Sequence, residues 1–484
     1  MKKILITLII LLIASIITFS VLYYNKVNIS DENKSKYNEL ISQGDKELEL
    51  LAKGYTQAAQ YYMDAIEIDP SQAYPYSKLV QILLLKRQYG KVDELLTKAK
   101  KSIVNGDICS IYIQIGDSYY KEKDFKNSIN NYVECYNSSY GDYAKLYSAV
   151  SFLKQGNNSK AQELLDSVSN TDINIYSKAK LYSSYIKLEN KDESKKILDS
   201  IDLVAVTDQE LVKQIEKYKG ILNKSYTDEK YYHTYIANYL LQQELYPLSL
   251  KLMEKYIDGV DEYYDGALVL SSAYYGVGEY DKAINTIQKV ITLENRYEGY
   301  LVMARANRMI NDQAQSVLSY KEAFRYSSSI TKESILSEYI DYLVETNQLL
   351  LAEKELQSFI KQDNSEYINF ELLKLYKLQN KVSAYSTSLN TLSKLSLSDG
   401  AKKRYLGYKI QYNLESKKYA LVREDLESMI KIDRNNPEYY LLSARLELDD
   451  GDKEKSKEYI NKAIDFDFVG DITKEVIRLR DRVE

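Results

Sequence analysis

The sequence predicts an all-α protein: an α-solenoid in which antiparallel helix hairpins stack into a right-handed superhelix, preceded by one N-terminal transmembrane helix. Three observations lead to this prediction. The 484 residues include only 17 glycines and 4 prolines, too few for the many tight turns of a sheet-rich protein. An uncharged run follows Lys2 and Lys3 at the N-terminus. After it, a spacing close to 34 residues recurs along the sequence.

The uncharged run covers residues 4–24. As a helix it would be about 30 Å long, the thickness of a bilayer core. A cleaved signal peptide would have a shorter apolar region, and the nearest cleavage candidate, Thr18 with Ser20, is followed by more apolar residues. We therefore predict a single-pass signal-anchor, followed by a polar spacer over residues 25–36. The repeats are expected outside the cytoplasm, but lysines on both sides of the run leave the orientation open.

The clearest repeating unit extends from Ile111 to Tyr136. Its residues follow the spacing W-x₂-L-G-x₂-Y and then small-x₃-aromatic-x₂-small. The residues at these positions are Tyr112, Ile115, Gly116, Tyr119, Ser128, Tyr132 and Cys135. The pattern resembles the tetratricopeptide repeat, in which each repeat is a pair of antiparallel helices. With the apolar N-terminus, it resembles a membrane-anchored tetratricopeptide protein of bacterial type. The period alone also fits HEAT-like or Sel1-like helical repeats.

One position of the repeat, the first small residue of each second helix, gives the period. The residues at this position are Ala58, Val92, Ser128, Ala161, Ser194, Ser249, Ala283, Ser316, Ala352, Tyr385, Val422 and Ser456. Ten of the eleven gaps between them measure 33 to 37 residues, and the remaining gap measures 55. The long gap therefore exceeds one period by about the length of one helix.

The surplus sequence itself predicts a helix. Residues 207–210 have a capping-box pattern, and Leu211, Ile215, Tyr218 and Leu222 follow at helical spacing. We predict about five hairpins over residues 37–205, a linking helix over 206–228, about seven hairpins over 229–468 and a C-terminal capping helix over 470–484.

The sequence does not predict an enzyme, and it predicts no catalytic residue, no cofactor and no metal site. His233 is the only histidine, and its helical spacing to Ile236, Ala237 and Leu240 predicts a packing role. A metal site would need several histidine, cysteine or carboxylate ligands at matched spacing. A serine or cysteine nucleophile would need an imidazole base, and a single packing histidine is poorly placed to be one. No glycine-rich phosphate loop is present. Catalysis by carboxylates alone is the one enzymatic alternative.

Cys109 and Cys135 are the only two cysteines, and they lie at the two ends of one predicted hairpin. Because antiparallel helices bring those ends together, a disulfide is geometrically feasible in an oxidising compartment. Cys135 also occupies a small-residue packing position, so a free buried thiol is the alternative.

The family resemblance implies a binding function. In tetratricopeptide proteins, first helices line a groove that takes an extended peptide or a partner helix. On each first helix, the residue after the aromatic or glycine position is turned about 100° from the packing stripe. The partner groove predicted in this way comprises Asp117, Tyr120, Asn238, Leu241, Ser272, Tyr275, Arg445 and Leu448. The sequence thus predicts a membrane-tethered protein-interaction scaffold.

The identity of the protein partner is left open. Asn238 has Thr234 rather than lysine one turn earlier, so the carboxylate-clamp specificity of the family is not carried over. An alternative function is a component of an envelope polymer or protein export system, in which Tyr120 and Tyr275 would stack on glycan rings. The formal net charge of −5 argues against a nucleic-acid partner.

Overall fold

A computed structural model describes residues 31–49, 55–103, 107–362, 364–466 and 479–480. Within these residues the chain forms 25 α-helices and no β-strand. The first thirteen helices are α1 (Asp31–Glu49), α2 (Tyr55–Ile68), α3 (Ala73–Leu85), α4 (Tyr89–Ser102), α5 (Cys109–Lys121), α6 (Phe125–Tyr132), α7 (Gly141–Lys154), α8 (Asn158–Asp166), α9 (Ile173–Ile186), α10 (Lys191–Asp199), α11 (Gln209–Asn223), α12 (Glu229–Gln242) and α13 (Tyr246–Tyr256). All of them belong to one compact unit, which ends at Asp258.

The second compact unit begins at Gly259. Its helices are α14 (Tyr264–Gly276), α15 (Tyr280–Val290), α16 (Tyr297–Met309), α17 (Gln313–Tyr326), α18 (Lys332–Glu345), α19 (Leu349–Gln362), α20 (Glu366–Leu378), α21 (Val382–Leu392), α22 (Asp399–Glu415), α23 (Tyr419–Ile432), α24 (Pro437–Asp449) and α25 (Lys453–Phe466). The boundary between the units follows hairpin α12–α13, whereas the sequence places the division of the array at the linking helix. We refer to the two parts as unit 1 and unit 2.

The helices pair in chain order, with five pairs from α1–α2 to α9–α10, the single helix α11, and then seven pairs from α12–α13 to α24–α25. Each of the twelve residues used to find the period stands three positions after the first residue of a second helix. All twelve are buried. The period therefore marks a fixed contact point inside each hairpin, where a small side chain lets the two helices approach closely.

Serine at this contact point also forms a hydrogen bond across the hairpin. The Oγ atoms of Ser249, Ser316 and Ser456 each donate to the backbone carbonyl of the alanine twelve residues earlier, at 2.8–3.0 Å. Gly116 allows another close approach, because a Cβ at this position would lie 2.6 Å from Cε1 of Tyr132. A larger residue at Gly116 would therefore push α5 away from α6.

The turn inside most hairpins has one backbone form. A residue with φ between +53° and +88° stands two positions before the second helix. These residues are Arg87, Lys123, Gly156, Glu244, Gly278, Asn311, Asn347, Asn380, Lys417 and Gly451. The left-handed conformation is easy for glycine and acceptable for asparagine, but it strains the longer side chains.

Helix α11 is the extra helix that the long gap predicts. Its N-cap is Asp208, whose side chain accepts hydrogen bonds from the backbone N–H groups of Glu210 and Leu211. The cap is therefore one residue later than the capping-box pattern starting at Thr207 predicts. Tyr218 of α11 stacks on Tyr239 of α12, with ring centroids 5.3 Å apart, and this contact joins the extra helix to the next hairpin.

The predicted single-pass membrane location, with the repeats outside the cytoplasm, is contradicted. No helix formed by the described residues is long and apolar enough to cross a membrane. The run at residues 4–24, on which that prediction depended, lies outside the described residues. Residues 31–36, assigned from the sequence to a polar spacer, form the first turns of α1.

Most of the predicted capping helix also lies outside the described residues, which include only Leu479 and Arg480 of it. Leu479 is buried in a cluster with apolar residues of α24 and α25. The predicted right-handed superhelix and the predicted domain limits stay predictions.

Candidate functional site

The largest cavity that we describe is a groove in unit 1 formed by three consecutive helices, which we call the α2–α4 groove. Its volume is about 530 Å³. Residues of α2 and α4 form the two sides, and residues of α3 form the floor between them. The lining residues are Thr56, Ala59, Gln60, Met63, Ile66, Glu67, Leu79, Ile82, Leu83, Lys86, Gln88, Lys91, Glu94, Leu95 and Lys98. Helical spacing places the lining residues of each helix on one face.

The floor of the α2–α4 groove is apolar and one of its sides is basic. Leu79 and Ile82 of the floor are buried. Met63, on the α2 side, has 42% of its surface exposed. Lys91 and Lys98 are exposed on α4 and form no ion pair with any residue that the structure describes. Seven residues of helix separate them by about 10 Å. The groove thus combines an apolar strip with two cations two helical turns apart.

The predicted partner-groove residues of α5 lie elsewhere in unit 1, and other side chains already contact them. Asp117 accepts hydrogen bonds from the hydroxyls of Tyr132 (2.6 Å) and Tyr143 (3.1 Å). Burial raises the pKa of Asp117, and the two hydroxyls oppose that rise. Tyr120 makes edge contacts with Phe125 and Tyr147 at centroid distances of 5.7 and 5.8 Å.

A residue of a turn that is distant in sequence contacts this region. Glu244, in the left-handed turn between α12 and α13, forms ion pairs of 3.0 Å with both Lys123 and Lys154. These bonds hold the pKa of Glu244 below its usual value, with the larger effect from Lys154. The Lys154 ammonium also lies 5.9 Å from the ring centre of Tyr120. An acidic side chain of the protein itself is therefore already paired with these two lysines, and one of them, Lys154, lies beside Tyr120.

The other predicted partner-groove residues have varied surroundings. Asn238 is exposed, and Leu241 and Ser272 are half-buried. Tyr275 contacts Tyr280, with ring centroids 5.6 Å apart. Arg445 is half-buried, and Leu448 packs against the α24–α25 cluster. None of the eight predicted residues lines one of the described cavities, and their role in binding stays a prediction.

His233 has the buried environment that its sequence position predicts. Its ring stacks on Tyr256 of α13, with centroids 4.1 Å apart. Desolvation lowers the pKa of His233, with Glu229 opposing the shift, so burial favours the neutral imidazole. Within the described residues, no group of three or more histidine, cysteine, aspartate or glutamate side chains has the arrangement of a metal site.

Cys109 and Cys135 are joined by a disulfide in the structure, with their Cα atoms 5.4 Å apart. Cys109 begins α5, and Cys135 ends the short 3-10 turn, Val133–Cys135, that follows α6. The bond therefore links the open end of this hairpin, opposite its turn.

Comparison with known proteins identifies the repeat. A family model described as the tetratricopeptide repeat matches residues 265–297 and 437–468, which contain nearly all of α14–α15 and all of α24–α25. The chain contains tetratricopeptide repeats. Proteins with such repeats generally bind other proteins. No curated protein matches the sequence.

Solved structures similar to the chain cover most of its length at low identity. The APC/C hetero-tetramer Cut9-Hcn1 aligns with 96% of this chain and 98% of its own, at 13% identity and a TM-score of 0.30. Naa15/Naa10 bound to HypK-THB aligns over 93% and 96% of the two chains, at 11% identity and a TM-score of 0.34. Yeast Tom70 covers 93% and 96%, at 12% identity and a TM-score of 0.31.

The α2–α4 groove was not predicted from the sequence, because binding residues were expected on first helices only. A signal was nevertheless present. Ala59 and Met63 are one turn apart on α2, outside the stripe of Ala58, Tyr62 and Ala65 that packs the hairpin. A second apolar strip on a repeat helix needs a partner surface of its own.

Proposed function

We propose that this tetratricopeptide protein is a non-catalytic scaffold whose α2–α4 groove binds an amphipathic helix of a partner protein. The proposal rests chiefly on the apolar floor beside Lys91 and Lys98. A helix laid in the groove would place apolar residues at positions i, i+3 or i+4, and i+7 against Met63 and its neighbours. Two acidic residues seven positions apart would then face Lys91 and Lys98.

Charge complementarity favours an acidic helix. Lys91 and Lys98 have no carboxylate partner within the described residues, and Lys86 donates to the hydroxyl of Thr56 rather than to an acid. Glu67 and Glu94 also line the groove, so three cations face two anions. An acidic partner gains two charge-assisted contacts at the rim, which add mainly to the association rate and the specificity.

The volume of the groove fits this kind of partner. At about 530 Å³ it lies within the range of sites that enclose a ligand, and it can take a few anchoring side chains of a helix rather than a whole domain. Affinity would then come mostly from anchors buried against Met63, because truncation of a few central residues usually removes most binding energy.

The test is selection from a displayed library of helical peptides against the full chain, followed by affinity measurement with the selected peptides. We expect enrichment of sequences with apolar residues at helical spacing and acidic residues seven positions apart. Met63→Glu should weaken their binding at least tenfold, about 1.4 kcal/mol. The double variant Lys91→Glu, Lys98→Glu should weaken it and reduce its dependence on salt.

Lys101→Glu is the matched control, because Lys101 is exposed on α4 but does not line the groove. It changes the net charge of the helix without changing the rim. Equal binding of the selected peptides to Met63→Glu and to the wild type would reject the groove as the site. The single variant Lys98→Glu has the same charge change as this control and should weaken binding more than it does. Equal losses in Lys98→Glu and Lys101→Glu would reject the specific pairing and indicate only a general charge effect.

A further inference from the structure

A second cavity in unit 1 lies beside α11, where the extra helix interrupts the regular repeat. Its volume is about 480 Å³. Four parts of the chain form its walls: the turn between α9 and α10, the connection from α11 to α12, the first turns of α12 and the end of α13. The lining residues are Leu188, Glu189, Lys191, Asn223, Lys224, Ser225, Tyr226, Asp228, Glu229, Tyr232, His233 and Tyr256. We call it the α11 cavity.

Three side chains of the α11 cavity carry a buried polar atom that has no hydrogen-bond partner. The atoms are Tyr226 Oη, Tyr232 Oη and His233 Nδ1. Tyr232 and His233 are only 9% and 8% exposed. Buried polar atoms of folded proteins nearly always have a partner, so three unpaired atoms within eight residues mark this wall as a place where water or a ligand can supply the missing bonds.

Aromatic rings form much of the same wall. His233 stacks on Tyr256, and the rings of Tyr226 and Tyr232 lie 5.6 Å apart. Tyr226 and Tyr256 are half-buried, so part of each ring is accessible. Such rings offer flat apolar surface next to hydroxyl groups that both donate and accept.

The charges around the cavity nearly cancel. Lys191 and Lys224 lie over the rings of Tyr232 and Tyr226, 4.6 and 5.5 Å from their centres, and form no ion pair with a described residue. On the acidic side, Glu229 stands at the start of α12. Asp228 caps that helix and forms an ion pair of 3.8 Å with Lys230.

The third acid of the lining is already paired. Glu189 is held by Lys251 and Lys255, at 2.5 and 2.7 Å. The cavity therefore presents cations and anions together, and its wall does not carry charge of one sign only.

We propose that the α11 cavity binds a neutral, polyhydroxylated ligand, a sugar in chemical class. Sugar hydroxyls donate and accept, so they can complete bonds to Tyr226, Tyr232 and His233 once these buried atoms turn toward the cavity, while the charged groups of the wall form further hydrogen bonds. The apolar C–H face of a sugar ring packs on an aromatic ring. This site is separate from the α2–α4 groove and does not depend on the function proposed for it.

The single histidine of the chain provides a direct probe. Full-length protein without a histidine tag, with histidine labelled with carbon-13 at Cε1 only, gives one imidazole signal by nuclear magnetic resonance, and that signal comes from the cavity wall. Maltotriose, cellotriose and chitotriose are titrated in turn, with inorganic phosphate and choline as charged probes. We expect at least one trisaccharide to shift the signal saturably, with a Kd on the order of millimolar, and neither charged probe to do so.

Variants separate binding in the cavity from a general effect. Tyr226→Phe removes one orphaned hydroxyl but keeps the ring, and it should weaken trisaccharide binding severalfold. Tyr256→Leu removes the ring that stacks on His233 and should abolish binding. Tyr231→Leu is the matched control: Tyr231 is on α12 and 40% exposed but does not line the cavity, and its replacement should leave the titration unchanged.

Three outcomes would overturn the proposal. The first is no saturable shift with any of the three trisaccharides, and the second is a shift caused by phosphate or choline alone. The third is a trisaccharide shift that is unchanged in Tyr226→Phe and in Tyr256→Leu, provided that circular dichroism shows both variants to be folded.

Discussion

The two units of the chain contain the same hairpin repeat but differ in the partners of the carboxylates that they bury. Both units pack tyrosines together: Tyr185, Tyr218 and Tyr239 in unit 1 have centroid distances of 4.8–5.9 Å, and Tyr320 of unit 2 lies 5.5 Å from Tyr339. Among the described residues of unit 1 the one buried carboxylate is Asp69, which is bonded to Ser71 and Gln72 rather than to a cation. In unit 2 four carboxylates are buried, and each forms an ion pair with lysine or arginine. They are Glu355, Glu371, Asp425 and Glu447.

The comparison shows that one repeat architecture tolerates two ways of joining adjacent helices. A tyrosine brings a large apolar ring and a neutral hydroxyl, so it loses little when it leaves water. A buried ion pair is costly to desolvate, and its net contribution to stability is small when both partners are present. Loss of one partner, however, leaves a buried charge uncompensated. The helix contacts of unit 2 should therefore be more sensitive to single substitutions at their charges.

The largest expected effect is from Lys409→Met in unit 2. Lys409 donates to Asp425 at 2.6 Å, and Asp425 is only 3% exposed. Removing the cation leaves this carboxylate with the amide of Asn413 as its other hydrogen-bond donor. We expect a loss of about 3–5 kcal/mol in the free energy of unfolding, measured by urea denaturation followed by circular dichroism.

Lys402→Met is the control for that variant, because Lys402 is exposed on the same helix and has no ion pair within the described residues. Its effect should stay within about 0.5 kcal/mol. Equal stability of the two variants would show that the buried pair does not distinguish unit 2 from unit 1.

The next effect concerns the disulfide of unit 1. Cys109 and Cys135 close a loop across a separation of 26 residues, and a cross-link of this length stabilises a protein by about 3 kcal/mol. Reductant should lower the melting temperature of the wild type and leave the double variant Cys109→Ser, Cys135→Ser unchanged. Thiol titration of the denatured, non-reduced protein should find no free thiol, and detection of both thiols there would contradict the bond.

The smallest effect is a pH dependence, and two carboxylates of unit 2 give it opposite signs. Burial opposes the ionisation of Glu338, but hydrogen bonds from Arg305 outweigh it and hold the pKa of Glu338 below 4.5. Its contribution to stability is therefore present above the unfolded pKa, and it is lost as the pH falls through the lower folded value. Glu338→Gln should remove this acid-side loss.

Burial raises the pKa of Glu371 above 4.5, although Lys374 and Arg404 oppose the rise. The contribution of this residue is fully present below the unfolded pKa, and it is lost as the pH rises through the higher folded value. Glu371→Gln should therefore gain stability relative to the wild type as the pH rises from 4 to 7. Parallel stability profiles of the two glutamine variants between pH 3 and 7 would contradict these assignments.

The hairpins could be predicted from the sequence because one position has a fixed physical role. Every second helix places a residue such as Ala283 or Ser316 against its first helix, and the restriction on size at that point produces a readable period. Even Tyr385, which is large for the position, falls in register and is buried. Its hydroxyl donates a hydrogen bond to the backbone carbonyl of Tyr408 in the next helix, so the side chain extends beyond the contact between the two helices of its own hairpin.

The surroundings of the candidate sites could not be predicted in the same way. Glu244 contacts Lys123 across 121 residues, and no local pattern encodes such a pairing. The α2–α4 groove and the α11 cavity combine residues of three or more segments. Their shapes therefore depend on how each helix is shifted and rotated relative to its neighbours. The helical rotation rule located Asp117 and Tyr120 on a distinct face of α5, but it could not show that tyrosines and a distant turn already contact that face.

The bridge from Glu244 to Lys123 and Lys154 has a thermodynamic consequence for any molecule that would use those two cations. Glu244 is tethered in place, so it acts at an effective concentration in the millimolar range or above. A free acidic side chain would have to compete with a group that never diffuses away. The apparent affinity of the free side chain for the two lysines would fall by a factor set by the free energy of the internal ion pairs. That affinity would recover when salt or substitution of Glu244 weakens those ion pairs.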